Sequence, residues 1–303
     1  MAIAATATTF LLVAIGAMVR ATNSGLGCSG WPKCSPSHWL PPLEYHAVVE
    51  YSHRFTAFLD IVLIGILAVV AWRGYRGVRR VFRSALAAVA LVFIQAILGG
   101  IVVKGGLAAL LVTAHFGTAM ILAAVLVYAT VASFSVEARL RPSSDALTVL
   151  VRATACATFA LMAVGAYVRG ENAGLVFPTW PLMDGSLIPS LPSAPAALHF
   201  AHRLLALAVG LLVGLLALRA RRERATRPAA ATLGLVAAGL FASQVLIGAA
   251  NVWSRLAAPA VVAHVAVASL TWGAVVATAE VARIQGGAPR ATRMSAGALA
   301  LEP

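Results

Sequence analysis

Glu50-Tyr51-Ser52-His53-Arg54 stands at the head of an apolar run that spans about residues 47–71. A carboxylate, an imidazole and a guanidinium inside a membrane-length segment are costly, so each needs a reason to be there. A second His-Arg pair, His202-Arg203, follows 149 residues later, and that offset organises the chain. It also relates Gly16 to Gly165, Arg20 to Arg169, Asn23 to Asn172, Gly25 to Gly174 and Trp31-Pro32 to Trp180-Pro181. Gln95 and Gln244, Gly99 and Gly248, and His115 and His264 continue the series without a gap. The chain is therefore an internal duplication, with two histidines recurring in register in each half.

With 61% apolar and 11% charged residues and a mean hydropathy of +0.90, the composition excludes an ordinary soluble domain. Crossing the hydrocarbon core takes about 20 apolar residues. Eight such runs are readable, at about 2–19, 47–71, 84–103, 108–133, 149–168, 196–218, 230–251 and 257–280. They are continuous, without the alternation of barrel strands, so they predict helices. The expected fold is an all-α integral membrane protein, its eight transmembrane helices forming two four-helix bundles. Four helices per half return the chain to its starting side, so the repeats are expected to run parallel. Expected units are an N-terminal half over 1–140, a cytoplasmic linker over 141–148, a C-terminal half over 149–282 and a disordered tail over 283–303. The first run lacks a basic leading segment and its end has a twin in the second half, so it reads as a retained helix rather than a signal peptide.

The net charge of +13 suggests nucleic acid until the charges are placed. Sixteen basic residues fall on one side, chiefly Arg73 to Arg83 and Arg219 to Arg227. Five fall on the other side, namely Arg20, Lys33, Lys104, Arg169 and Arg255, while Arg54 and Arg203 lie within helices. This asymmetry puts both termini in the cytoplasm by the positive-inside rule, and the expected location is a prokaryotic plasma membrane. It leaves no need for a nucleic-acid partner; the partner of the surface is the lipid bilayer.

The histidines carry the chemistry. His53, His115, His202 and His264 fall at similar depth in the second helix of each pair, near the external side. A lone buried histidine is usually a packing residue, but two repeat-matched pairs suit axial ligation of two haems. A bare zinc or copper ion would need further ligands that the sequence does not place nearby. Arg54 and Arg203 suit either haem propionates or snorkelling at a helix end, and Arg20 and Arg169 share that ambiguity. Cys28 and Cys34, in the first external loop, can form a disulfide, remain thiols or clip a metal. Their counterparts are Phe177 and Met183. Gln95 and Gln244 can bridge helices or orient a ligand, Gly99-Gly100 and Gly248 can allow close helix approach, and Cys156 reads as a packed small residue. Asp60 fits either a proton path or a protonated buried acid. At the position of Glu50 the second half has His199, an asymmetry that points to chemistry in the first half, with Glu50 either its candidate catalytic carboxylate or a group that only hydrogen-bonds a histidine or meets the water interface.

Gly25-Leu26-Gly27-Cys28, Trp31-Pro32 and Cys34, followed by Glu50-Tyr51-Ser52-His53-Arg54, resemble haem A synthases. The resemblance continues through Thr113-Ala114-His115, His202-Arg203-Leu204-Leu205 and His264. It implies an eight-helix membrane oxidoreductase that turns a ring methyl of haem O into the formyl group of haem A by two hydroxylations, with water as the oxygen source, for terminal oxidases. It further implies a substrate-haem site at His53 and His115, a haem b site at His202 and His264, an essential carboxylate at Glu50 and an external cysteine pair at Cys28 and Cys34. Some bacterial members carry a second cysteine pair where this chain has Phe177 and Met183. Haem O synthase and oxidase assembly factors are the partners such chemistry suggests; no residue specifies the electron acceptor. A quinol-linked dihaem electron carrier would use the four histidines but give Glu50 and the cysteines no task, and a transporter would spread polar groups through the membrane depth.

Overall fold

The apolar runs become helices that pass the end of every run and, in the second, third, fifth, sixth and seventh, also begin before it. A computed structural model describes residues 1–136 and 145–287. Its helices are α1 (Ala2–Ala21), α2 (Tyr45–Gly74), α3 (Arg79–Lys104), α4 (Ala109–Phe134), α5 (Ala146–Gly170), α6 (Ala194–Arg222), α7 (Pro228–Trp253) and α8 (Ala258–Gly287). All eight are long and apolar enough to cross a membrane. No strand occurs among the described residues beyond an isolated bridge between Met183 and Ser186.

Local chemistry sets several boundaries. Asp145 caps α5 by accepting the Thr148 N–H at 2.9 Å, so this helix begins before the expected linker ends. Ser193 caps α6 through the Ala196 N–H, with a proline in the first turn, and α7 starts at Pro228. Arg227 binds both oxygens of Asp145, at 3.1 and 2.6 Å, tying the α6–α7 turn to the start of α5. Those hydrogen bonds raise the affinity of the guanidinium for its proton. At the other end of the chain α8 continues to Gly287, which corrects the expected start of the tail at 283. Residues 137–144, including the first half of the expected linker, and 288–303 of the tail lie outside the described residues.

Packing closes two rings. Helix α1 packs on α2, α2 on α3, α3 on α4 and α4 on α1; α5 to α8 do the same. The rings meet through α1 with α8, α4 with α5 and α4 with α8. Apolar cores fill the ends remote from the disulfide loop: Ile64, Leu67, Val81, Val92 and Leu126 in one ring, and Leu147, Val151, Leu216 and Val275 in the other. Between the rings lie Val13, Met120, Met162 and Trp272, where the Trp272 indole N–H donates to the Met120 carbonyl at 2.8 Å. Outward side chains such as Ile97, Leu211 and Leu246 are more than 60% exposed, an apolar surface suited to lipid and not to water. Cys156 belongs to this surface, so the expectation that it packs inside is corrected.

Backbone detail recurs at the 149-residue offset. Asn23 and Asn172 both have φ 54°, and Leu107 and Leu256 have φ 61° and 64°. Such left-handed leucines are uncommon outside tight turns. Each accepts this conformation as its N–H closes the preceding helix, on Val102 and Asn251 respectively. The Trp31-Pro32 and Trp180-Pro181 peptides are both cis.

Candidate haem and carboxylate site

Each of the four imidazoles is seated on a glycine of the neighbouring helix. A Cβ on Gly16 of α1 would lie 3.1 Å from His53 Cε1 of α2, and one on Gly99 of α3 would lie 3.5 Å from His115 Cε1 of α4. The second ring repeats this, with Gly165 at 2.9 Å from His202 Cε1 and Gly248 at 3.3 Å from His264 Cε1. These glycines therefore make room for the rings, a use more specific than general helix approach. His53 and His115 are near enough to interact electrostatically, as are His202 and His264. The structure thus brings the expected pairs together.

The four Nδ1 atoms are buried without a hydrogen-bond partner. The Leu12 carbonyl faces His53 without meeting hydrogen-bond geometry. A buried unpartnered ring nitrogen is costly to leave unsatisfied. In His53, His202 and His264 the Nδ1 edge faces the glycine of the neighbouring helix, so Nε2 is the ring atom that would meet a ligand. Among the described residues no group of three or more His, Cys, Asp or Glu side chains comes together, so the donor set suits axial ligation of a porphyrin iron rather than a bare metal ion. Gln95 and Gln244 tie down the second histidine of each pair: their Nε2 atoms donate across helices to the carbonyls of His115 at 3.1 Å and His264 at 2.8 Å.

Glu50 faces the loop. Cys28 and Cys34 form a disulfide, which settles the three alternatives for this pair. The Cys28 N–H donates to Glu50 Oε2 at 2.8 Å, and Arg54 Nη2 pairs with Glu50 Oε1. The other terminal nitrogen of Arg54 donates to the carbonyls of Gly30 at 2.7 Å, Lys33 at 3.0 Å and Pro32 at 3.3 Å, all within the disulfide-closed loop. One buried ion pair thus fixes the carboxylate and clamps the loop over α2. The sequence offered propionate binding or snorkelling for Arg54 and Arg203; the structure gives both a third role, holding loop carbonyls.

The second ring has the same arrangement with different chemistry. Arg203 donates to the carbonyls of Thr179 at 3.0 Å and Phe177 at 3.1 Å. His199 replaces Glu50, meeting the Phe177 N–H at 3.4 Å through Nδ1 and Arg203 Nε at 3.2 Å through Nε2. A carboxylate accepts at both oxygens, but a neutral imidazole accepts at one nitrogen only, so just one of these two contacts is a true hydrogen bond. Phe177 and Met183 stand in for the disulfide by packing with Ala196 and Phe200, as Cys28 and Cys34 pack with Ala47 and Tyr51. That substitution was present in the sequence as a pair of apolar residues at the cysteine positions.

Asp60 lies away from this site. It is fully buried, and the Thr9 hydroxyl lies 2.9 and 3.1 Å from its two oxygens. His46 bonds Ser24 and His38 bonds Ser37, so neither approaches the cysteines as a ligand.

Known proteins share this organisation. The family described as Cytochrome oxidase assembly protein matches residues 1–48 and 43–276. A protein named haem A synthase from Symbiobacterium thermophilum is 32% identical over 251 residues, covering 78% of this chain and 81% of its own. One from Geobacillus kaustophilus is 28% identical over 282 residues (89% and 87%), and one from Geobacillus thermodenitrificans is 27% identical over 257 residues (82% and 79%). Paired imidazoles in a helical membrane protein, a carboxylate beside an external disulfide, and a match over most of the chain agree: this chain belongs to the cytochrome oxidase assembly protein family of haem A synthases.

Proposed function

We propose that the protein oxidises the ring methyl of haem O to a formyl group, through a hydroxymethyl intermediate, yielding haem A. The observation that carries this reading is the pair of repeat-matched imidazole sites, of which only the first adjoins a disulfide and a carboxylate paired with an arginine. Conversion of methyl to formyl consumes one water net and releases four protons and four electrons, so the site needs a proton acceptor and an electron acceptor. His53 and His115 would hold the substrate haem. His202 and His264 would hold haem b, which supplies a one-electron redox centre when bound.

Glu50 has two tasks open to an acceptor-only group, countering positive charge that develops at the methyl carbon and taking a proton from the attacking water. Both require the carboxylate to be held in one place as an acceptor. Arg54 and the Cys28 N–H supply that before substrate arrives, so no reorganisation accompanies the reaction. The disulfide and the Arg54 clamp exclude water from the loop side by keeping residues 28–34 folded down. His199, neutral and a single acceptor, cannot do the same work in the second ring.

The Arg-rich α2–α3 and α6–α7 connections lie at the opposite helix ends from the disulfide loop, which supports cytoplasmic termini in a prokaryotic plasma membrane. Haem O synthase, which releases a membrane-bound substrate, and oxidase assembly factors, which receive the product, are the fitting partners. The test uses membranes from cells that make haem O, with and without this protein, their extracted haems separated by chromatography. Haem A or its hydroxylated precursor in the wild type, lost in Glu50→Ala, is expected. Bound haem b with no modified haem, given folded protein and haem O supply, would refute the reading in favour of a dihaem electron carrier.

A further inference from the structure

Two half-buried cations remain under-used. Arg20 and Arg169, related by the duplication, each carry a buried Nε with no hydrogen-bond partner. Arg169 makes only long contacts, from Nη2 to the Arg20 carbonyl at 3.4 Å and from Nη1 to Asn172 Oδ1 at 3.3 Å. Those lie beyond the usual range for N–H···O bonds. The two guanidiniums are also near enough to repel one another. Two under-satisfied like charges at one place are unfavourable unless an anion joins them.

Their position says which anion. Arg20 follows Gly16 by four residues and Arg169 follows Gly165 by four, so each arginine lies on the helix face that floors His53 or His202. The rise between them is about 6 Å toward the disulfide-loop end of the helix. Arg54 and Arg203, by contrast, spend their donors on loop carbonyls and on Glu50 or His199.

We propose that Arg20 and Arg169 are the carboxylate-binding residues of the two porphyrin sites, Arg20 receiving a propionate of the haem at His53 and His115 and Arg169 one of the haem at His202 and His264. This rests on the haem-binding reading above. A guanidinium matches a carboxylate with two parallel donors, and the orphaned Nε supplies one of them. A positive charge there also favours the reduced form of a nearby iron, since reduction lowers the net charge of the haem.

The test uses the purified full chain with its resident haem. In Arg169→Gln, the ratio of oxidised to reduced haem b at a fixed potential is expected to rise about tenfold, a downward shift of about 59 mV for a one-electron couple. Arg169→Lys keeps the charge and is expected to retain most of the wild-type potential, which separates charge from packing. For the first site, titration compares haem O with its propionate dimethyl ester. Wild type is expected to favour the free acid about tenfold, and Arg20→Gln to lose that preference. An unchanged potential in Arg169→Gln, or an unchanged acid-over-ester preference in Arg20→Gln, would overturn the assignment. So would loss of co-purifying anionic phospholipid with the potential intact, which would give the pair to a headgroup phosphate. A wild-type protein that binds no haem would instead fail the functional reading itself.

Discussion

Replacing Gly165 with Ala places a methyl carbon 2.9 Å from His202 Cε1. Carbon atoms rest at about 3.5–4.0 Å, so the ring must retreat by roughly 0.6 Å or more. An imidazole without a ligand can swing away at small cost; one held by iron cannot. Crowding of this kind costs about 1–3 kcal/mol, and Gly→Ala returns roughly 0.5–1 kcal/mol of helix stability. The helix gain is common to the apo and loaded forms, so the expectation is a loss of about 1–3 kcal/mol in ligand binding, or roughly 5–150-fold in haem b affinity. The loss should appear in the haem-bound state and not in folding of the apoprotein. Distances rank the remaining glycines: Gly16 at 3.1 Å, Gly248 at 3.3 Å and Gly99 at 3.5 Å. At Gly99 the contact is ordinary and the helix gain should win, leaving Gly99→Ala neutral or slightly stabilising. The assay is titration of detergent-purified apoprotein with haem b, with thermal unfolding of the apo form measured alongside. A Gly165→Ala protein that titrates like wild type, or a Gly99→Ala protein that loses as much, would refute the seating of the rings on these glycines.

His199→Glu should give the second loop the acceptor pair that Glu50 gives the first, raising stability by about 1–3 kcal/mol through charge-assisted bonds to Arg203 and the Phe177 N–H; slower hydrogen exchange at residues 177–183 is the readout, and faster exchange would count against it. Glu50→Gln removes the counter-charge of a largely buried Arg54 and should lower stability by roughly 3 kcal/mol, visible as a lower thermal midpoint. Replacing Cys28 and Cys34 by Ala removes a closure across a sequence separation of 6 and should cost about 2 kcal/mol. The Cys28→Phe, Cys34→Met double variant should recover most of that by apolar packing, so equal thermal midpoints for the two variants would contradict the parallel with Phe177 and Met183. Gln244→Leu removes the bond to the His264 carbonyl and should weaken haem b binding about tenfold, measured by the same titration.

The sequence made the helices and the imidazoles legible, because long apolar runs and a gapless repeat are periodic signals. The floor glycines were visible as repeat partners, though not as seats for the rings, since only the structure places Gly16 under His53. The Arg54 clamp was hidden for a different reason. Its partners are backbone carbonyls of Gly30, Pro32 and Lys33, which every residue possesses and no side-chain pattern announces. The Glu50–Arg54 spacing of four permits an ion pair on one helix face, but the spacing alone does not distinguish that pair from an Arg54 reaching for a haem carboxylate. Phe177 and Met183 read as a loss of cysteine, whereas the fold uses them to pack the same corner. The exposure of Cys156 was not readable, because in a membrane helix the lipid-facing and core-facing sides are alike in polarity.

The seam between the rings has one more consequence. Helices α4 and α8 each carry one histidine of a pair and pack directly on each other, and the Trp272 indole pins the Met120 carbonyl five residues beyond His115. A seam tied at that point acts as a ruler. If the histidine pairs hold haems as proposed, helix packing and not loop motion would set the spacing of the two irons. Electron tunnelling falls steeply with distance, so a fixed ruler would hold transfer between the two haems constant from one turnover to the next. Any control over flow would then come from the potentials of the two sites and not from the gap between them.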